Sequence, residues 1–164
     1  MPSHVYHPHR NPPTWWDRVL VHPTDNAVAL LAVMFGAFMA VSLILTGFNP
    51  SMSMSRMPWP ILIIISGFIG TGGILALVGL HWTGDTVSKG WAIERLGWLG
   101  MTGGFATYAI TVAVTFPGSL LAWLWPIVIA VASLLRVISL NLIERDTRRA
   151  VAEVKHENGE TAIQ

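Results

Sequence analysis

Six histidines, nine carboxylates and ten basic side chains are the groups with which this chain of 164 residues could do acid–base or ligand chemistry. Their spacing argues against most of it. His4, His7, His9 and His22 offer imidazoles to a metal ion, but no HExxH helix and no cysteine accompanies them, and Pro8 interrupts the run. They read as a solvated tail, so no metal ligand set and no cofactor is predicted. No serine, histidine and aspartate fall into a nucleophile–base pattern. The Gly70 to Gly73 run lacks the lysine of a phosphate-cradling loop and lies in an apolar stretch. No catalytic residue is assigned, and the chain reads as non-enzymatic.

Two charges stand apart. Arg136 lies inside an apolar stretch, about six residues from its polar end. A guanidinium there either snorkels toward water on its methylene stem or finds a counter-ion. Glu94, at the edge of another apolar stretch, is the candidate partner, and an ion pair between them would hold two helices in register.

The elements that carry these groups follow from hydropathy. Leu96 to Leu135 contains 40 consecutive residues without Asp, Glu, Lys, Arg or His, broken in the middle by Phe116-Pro117-Gly118-Ser119. A helix rising about 1.5 Å per residue needs roughly 20 apolar residues to cross the hydrocarbon of a bilayer. Each half of the stretch meets that length, and Pro117-Gly118 suits a chain reversal. Two further spans precede it. The sequence predicts an all-α polytopic membrane protein of four transmembrane helices arranged as two hairpins, at about 27–48, 60–80, 96–116 and 119–142. A polar, Pro- and His-containing segment (1–25) precedes the transmembrane domain (26–142), and a charged helical tail (143–164) follows it. Thr24 or Asp25 is the expected cap of the first helix. His81 to Arg95 is the expected second connection, and Pro126 a possible kink in the fourth span.

Composition agrees with lipid as the solvent. Hydrophobic residues make up 52% and charged residues 12%, against about 25% charged in a soluble domain. A net charge of +1 gives no field for nucleic acid. With both termini inside, nine of the basic residues are cytoplasmic and Arg56 alone is outside. That is a strong positive-inside bias, and the cytoplasmic membrane with both termini in the cytoplasm is the expected location.

Helices in lipid associate where small residues let backbones approach. Ala32, Gly36 and Ala40 share a face of the first span; Gly70 and Gly73 lie in the second. The third carries Gly100, Gly103 and Gly104, then Thr107, Thr111 and Thr115. Gly73 and Gly103 fall at matching depths. These faces either pack the four helices of one monomer or, in part, join copies into a homo-oligomer. Gly103, Thr107 and Thr111 form a mildly polar stripe, although threonines also bond to their own helix carbonyls.

The run Trp91-Ala92-Ile93-Glu94-Arg95-Leu96-Gly97, the glycine-rich third span with Tyr108, and the basic tail resemble small four-span membrane proteins of actinobacterial tailed phages, some of them designated holin-like. The resemblance implies a protein that accumulates in the cytoplasmic membrane, oligomerises, and permeabilises or depolarises it in host cell lysis. It transfers no functional residue, because holins share no catalytic motif. The alternative reading is a membrane anchor or accessory subunit, as in phage exclusion, that recruits a cytoplasmic protein partner through its polar ends.

Overall fold

The computed structural model describes residues 19–20, 22–46, 57–82 and 87–161, with side chains from 151 onward not described. The histidines of the amino-terminal tail, Trp15, Trp16, Arg56 and Asp85 lie outside the described residues. Four α-helices follow one another: α1 (Pro23–Val41), α2 (Trp59–Leu80), α3 (Val87–Thr115) and α4 (Leu120–Thr161). A π-helical turn, Ser42–Thr46, extends α1. There is no strand among the described residues.

Three of these helices, at Pro23–Leu45, Trp59–Leu80 and Leu120–Ala150, are long and apolar enough to cross a membrane. The segment expected as the third span is helical within α3, 29 residues long. Its glycines and threonines dilute its apolar character, and so it does not join the other three on composition. α3 packs on both α2 and α4, and it buries Trp98, Met101, Phe105, Tyr108, Ala109 and Val112 among its neighbours. Its outer side is apolar in part, with Leu96, Leu99, Ile110 and Val114 exposed between the glycines and threonines. α1 and α2 likewise show Leu30, Met34, Phe38, Ile64 and Phe68 on the outside.

Neighbours in the chain are neighbours in space, and successive helices run antiparallel. α2 lies between α1 and α3 and uses a different glycine face for each. Toward α1 it presents Gly70 and Gly73: a methyl on Gly36 would lie 2.5 Å from Gly70 Cα, and one on Gly73 would lie 2.7 Å from the Ala29 carbonyl oxygen. Toward α3 it presents Gly72, Ala76 and Gly79. A methyl on Gly72 would meet the Met101 amide at 2.8 Å, and one on Gly97 would run into the Ala76 backbone. At such approaches no side chain fits, and dispersion contacts between backbones replace it.

Several expectations are corrected. Gly73 and Gly103, expected at matching depths, serve different surfaces. Gly73 faces α1, while Gly103 has nothing within 4 Å. The α2–α3 seam runs through Gly72 and Gly97 because the 3.6-residue period sets those residues, and not their sequence neighbours, on the shared face. α3 starts at Val87, before the expected Leu96, so Trp91, Glu94 and Arg95 are helical. The Trp98 indole donating to Glu94 one turn earlier, at 3.2 Å, supports that added length. α1 begins at Pro23 with His22 at the cap position and no side-chain capping bond, so neither Thr24 nor Asp25 caps it. Proline at the first helical position has no N–H to satisfy, which reduces the need for a cap. α4 passes through Pro126 as one helix of 42 residues, joining the fourth span to the tail.

The turn between α3 and α4 falls at Phe116–Ser119, where the Ser119 amide donates to the Phe116 carbonyl at 3.0 Å. Just beyond, Phe35 of α1, Phe105 and Tyr108 of α3, and Trp125 of α4 form one aromatic cluster. Phe35 and Trp125 stand edge to face, 5.4 Å between ring centroids, and tie the first helix to the last.

Candidate functional site

The charges of the described residues all lie toward one end of the bundle, where α1 and α3 begin, α2 ends and α4 leaves. The opposite end, at Met57–Pro58 and the Phe116–Ser119 turn, has none among the described residues. The geometry at the charged end starts from a glycine. A methyl on Gly79 of α2 would occupy the place of the Glu94 backbone and Cβ. Lacking one, α2 lets α3 come close enough to bury Glu94 to 4% exposure.

A buried carboxylate must be paired or give up its charge. Glu94 is paired. Arg136 of α4 donates to Glu94 Oε1 from Nε at 3.0 Å and from Nη2 at 2.8 Å, and the Trp98 indole donates to the same oxygen. The remaining arm of the guanidinium, Nη1, lies 3.3 Å from Asp25 Oδ2 of α1. One arginine thus joins three helices. Around this core, His22 Nδ1 is 3.6 Å from Asp25, and His81 Nε2 of α2 is 2.8 Å from Asn26 Oδ1. One turn or two further along α4, Glu144 pairs with Arg95 of α3 and, at 2.6 Å, with Arg148 of its own helix. Arg136 is 19% exposed at its side chain, so the guanidinium is held inside the bundle and does not reach for the aqueous edge.

The residues singled out from sequence divide into two groups. Gly36, Gly70, Gly73, Gly100 and Gly104 are all consumed by packing within the chain. Gly104 meets Ile69 of α2, and a methyl on Gly100 would sit at 3.4 Å from Gly72 Cα, an ordinary contact. Ala40 is half-buried. Gly103, Thr107 and Thr111 stay on the outer side of α3, with Thr111 donating to the Thr107 carbonyl at 2.7 Å. Thr115 does the same toward Thr111 at 2.8 Å, so these hydroxyls are satisfied by their own helix. Glu94 and Arg136 come together. Sequence reasoning missed Asp25 as a second partner of Arg136, Trp98 as a donor to Glu94, and Gly79 as the residue that makes room. The signal was the small-residue series Gly72-Ala76-Gly79 at helical spacing, which matches Gly97 and Gly104 across an antiparallel seam.

Chemically the cluster is a closed set of ion pairs. Among the described residues no group of three His, Cys, Asp or Glu side chains is placed to hold a metal ion. No protein-family model matches the chain, no curated protein matches its sequence, and no solved structure matches its fold.

Proposed function

We propose that the chain is a non-enzymatic, four-span protein of the cytoplasmic membrane with both termini in the cytoplasm, and that it acts in a holin-like manner by associating with copies of itself and permeabilising or depolarising that membrane. The observation that carries the membrane part is the division of the described residues into an apolar-surfaced bundle and a single charged end. The preference of basic residues for the side of synthesis supports a cytoplasmic position for that end. The resemblance to holin-like phage proteins supports the role.

The packing constrains how such a role works. Trp98, Met101, Phe105 and Val112 fill the middle of the bundle, so the core of the described helices is packed with side chains. Any lesion arises between chains, across surfaces that the internal seams leave over, and the outer stripe of Gly103, Thr107 and Thr111 is available to it. The second reading, an anchor that recruits a cytoplasmic partner, draws support from α4, whose 42 residues reach well past the start of α3.

Inducible expression in a bacterial host with a membrane-potential dye separates the two. Abrupt depolarisation with growth arrest, followed by release of a co-expressed endolysin, is the result expected of the holin-like role. Harmless accumulation in the membrane favours the anchor.

A further inference from the structure

Beside the ion-paired core, α4 and Arg95 of α3 line a shallow, open cleft of about 500 Å³ bordered by Arg95, Asn141, Glu144, Arg145, Arg148 and Arg149. Four guanidiniums face one carboxylate there. Glu144 is engaged by Arg95 and Arg148, while Arg145 and Arg149 have no ion pair among the described residues. Asn141, Arg145 and Arg149 recur every four residues, so they lie along one side of α4 and aim at the same space. The surplus positive charge is therefore concentrated and not scattered along the tail.

The surroundings specify what neutralises it. Leu134 and Ile138 of α4, which continue the side of Asn141, Arg145 and Arg149 toward the apolar bundle, are exposed at 43% and 46%. A ligand seated here meets guanidiniums with one part and bare apolar helix surface with another. Resting on the membrane reading above, we infer that this cleft is a binding site for an anionic phospholipid, its headgroup phosphate held by Arg145 and Arg149 with Arg95 and Arg148 behind, and its acyl chains lying on the apolar surface below. Planar guanidiniums suit phosphate oxygens through paired donors. Basic pockets between helices at the cytoplasmic face hold such headgroups in other membrane proteins. A free phosphate supplies the same oxygens but leaves the apolar rim uncovered.

The test uses the full-length chain in non-ionic detergent micelles containing equal amounts of phosphatidylglycerol and phosphatidylcholine, with retained lipid read by native mass spectrometry. The wild type is expected to retain phosphatidylglycerol over phosphatidylcholine by about tenfold. R145Q/R149Q should bring that ratio close to one while its melting temperature in lipid-free detergent stays unchanged, since neither residue is part of an ion pair among the described residues. R145K/R149K keeps the charge and should keep a reduced preference. Equal retention of the two lipids by the wild type, or an undiminished preference in R145Q/R149Q, overturns the site. Displacement of the lipid by inorganic phosphate overturns its assignment to a lipid in favour of a free anion. An alkaline wash of host membranes distinguishes the failures. A chain that stays in the pellet but shows no lipid preference loses the site alone, and a chain released into the wash loses the membrane reading with it.

Discussion

At the scale of single residues the decisive distinction is between glycines that a methyl group would jam and those it would not. Gly97→Ala drives a methyl into the Ala76 backbone, which cannot retreat as a side-chain tip can. It should destabilise the bundle by about 1–3 kcal/mol, the range for overpacked cores. Gly103→Ala meets nothing within 4 Å and removes a flexible residue from mid-helix. It should be neutral or stabilise by up to about 1 kcal/mol. Thermal unfolding in detergent, compared between the two variants, checks both signs. Arg136 is the other sensitive residue. Arg136→Gln leaves Glu94 and Asp25 without their shared cation, and the loss of a buried pair's partner costs about 3–5 kcal/mol. A charge swap is less simple than a two-residue pair suggests. Glu94→Arg combined with Arg136→Glu sets a carboxylate against Asp25, so the double swap should recover only part of the stability. Adding Asp25→Asn should recover more. Full rescue without that third change would show that the Asp25 contact is energetically silent.

At the scale of elements, the helices and their order were legible because lipid imposes length and apolarity on each crossing segment. The α3–α4 reversal could be read from Pro117-Gly118 for the same reason that these residues make it. What could not be read was which face of each helix meets which neighbour. α2 carries small residues on two sides, and hydropathy does not say that Gly70 and Gly73 serve α1 while Gly72 and Gly79 serve α3. The start of α3 was hidden because its first turns are polar. Charged residues in a connection and charged residues in a helix that ends in water look alike until their partners are known. Glu94 was recognisable as a partner for Arg136 because both are charges beside apolar runs. Asp25 was not, since a carboxylate at a helix start has an ordinary explanation in capping. The aromatic cluster makes a separate forecast about α1. Phe35→Ala removes the ring that touches Phe105, Tyr108 and Trp125, and should cost about 3 kcal/mol. Since Asp25 still holds the other end of the helix, quenching of Trp125 fluorescence by a lipid-phase quencher should rise while detergent-solubilised protein remains helical by circular dichroism.

At the scale of the whole molecule, the arrangement is a bundle fastened at two levels, by rings in its interior and by ions at one end. The chain contains no cysteine, which makes its orientation directly measurable. Ser119→Cys, in the exposed α3–α4 turn, should react with a membrane-impermeant maleimide on intact cells. Lys89→Cys, near the charged end, should react after permeabilisation alone. The reverse pattern would turn the protein over, and the holin-like reading in its present form would be lost. Gly103→Leu adds a further check on association between chains. Its side chain has open space before it and leaves the internal seams untouched, so a change in crosslinking or in the timing of depolarisation would report on contacts between copies and not on folding.

The three-helix junction at Arg136 also bears on how the protein is made. Helices leave the ribosome in order, and the guanidinium that satisfies carboxylates of the first and third belongs to the fourth. Until that last helix packs against the others, Asp25 and Glu94 lack their shared counter-ion. Docking of α4 and completion of that charge balance are one event, and a chain cut before Arg136 would keep two carboxylates without the cation they share.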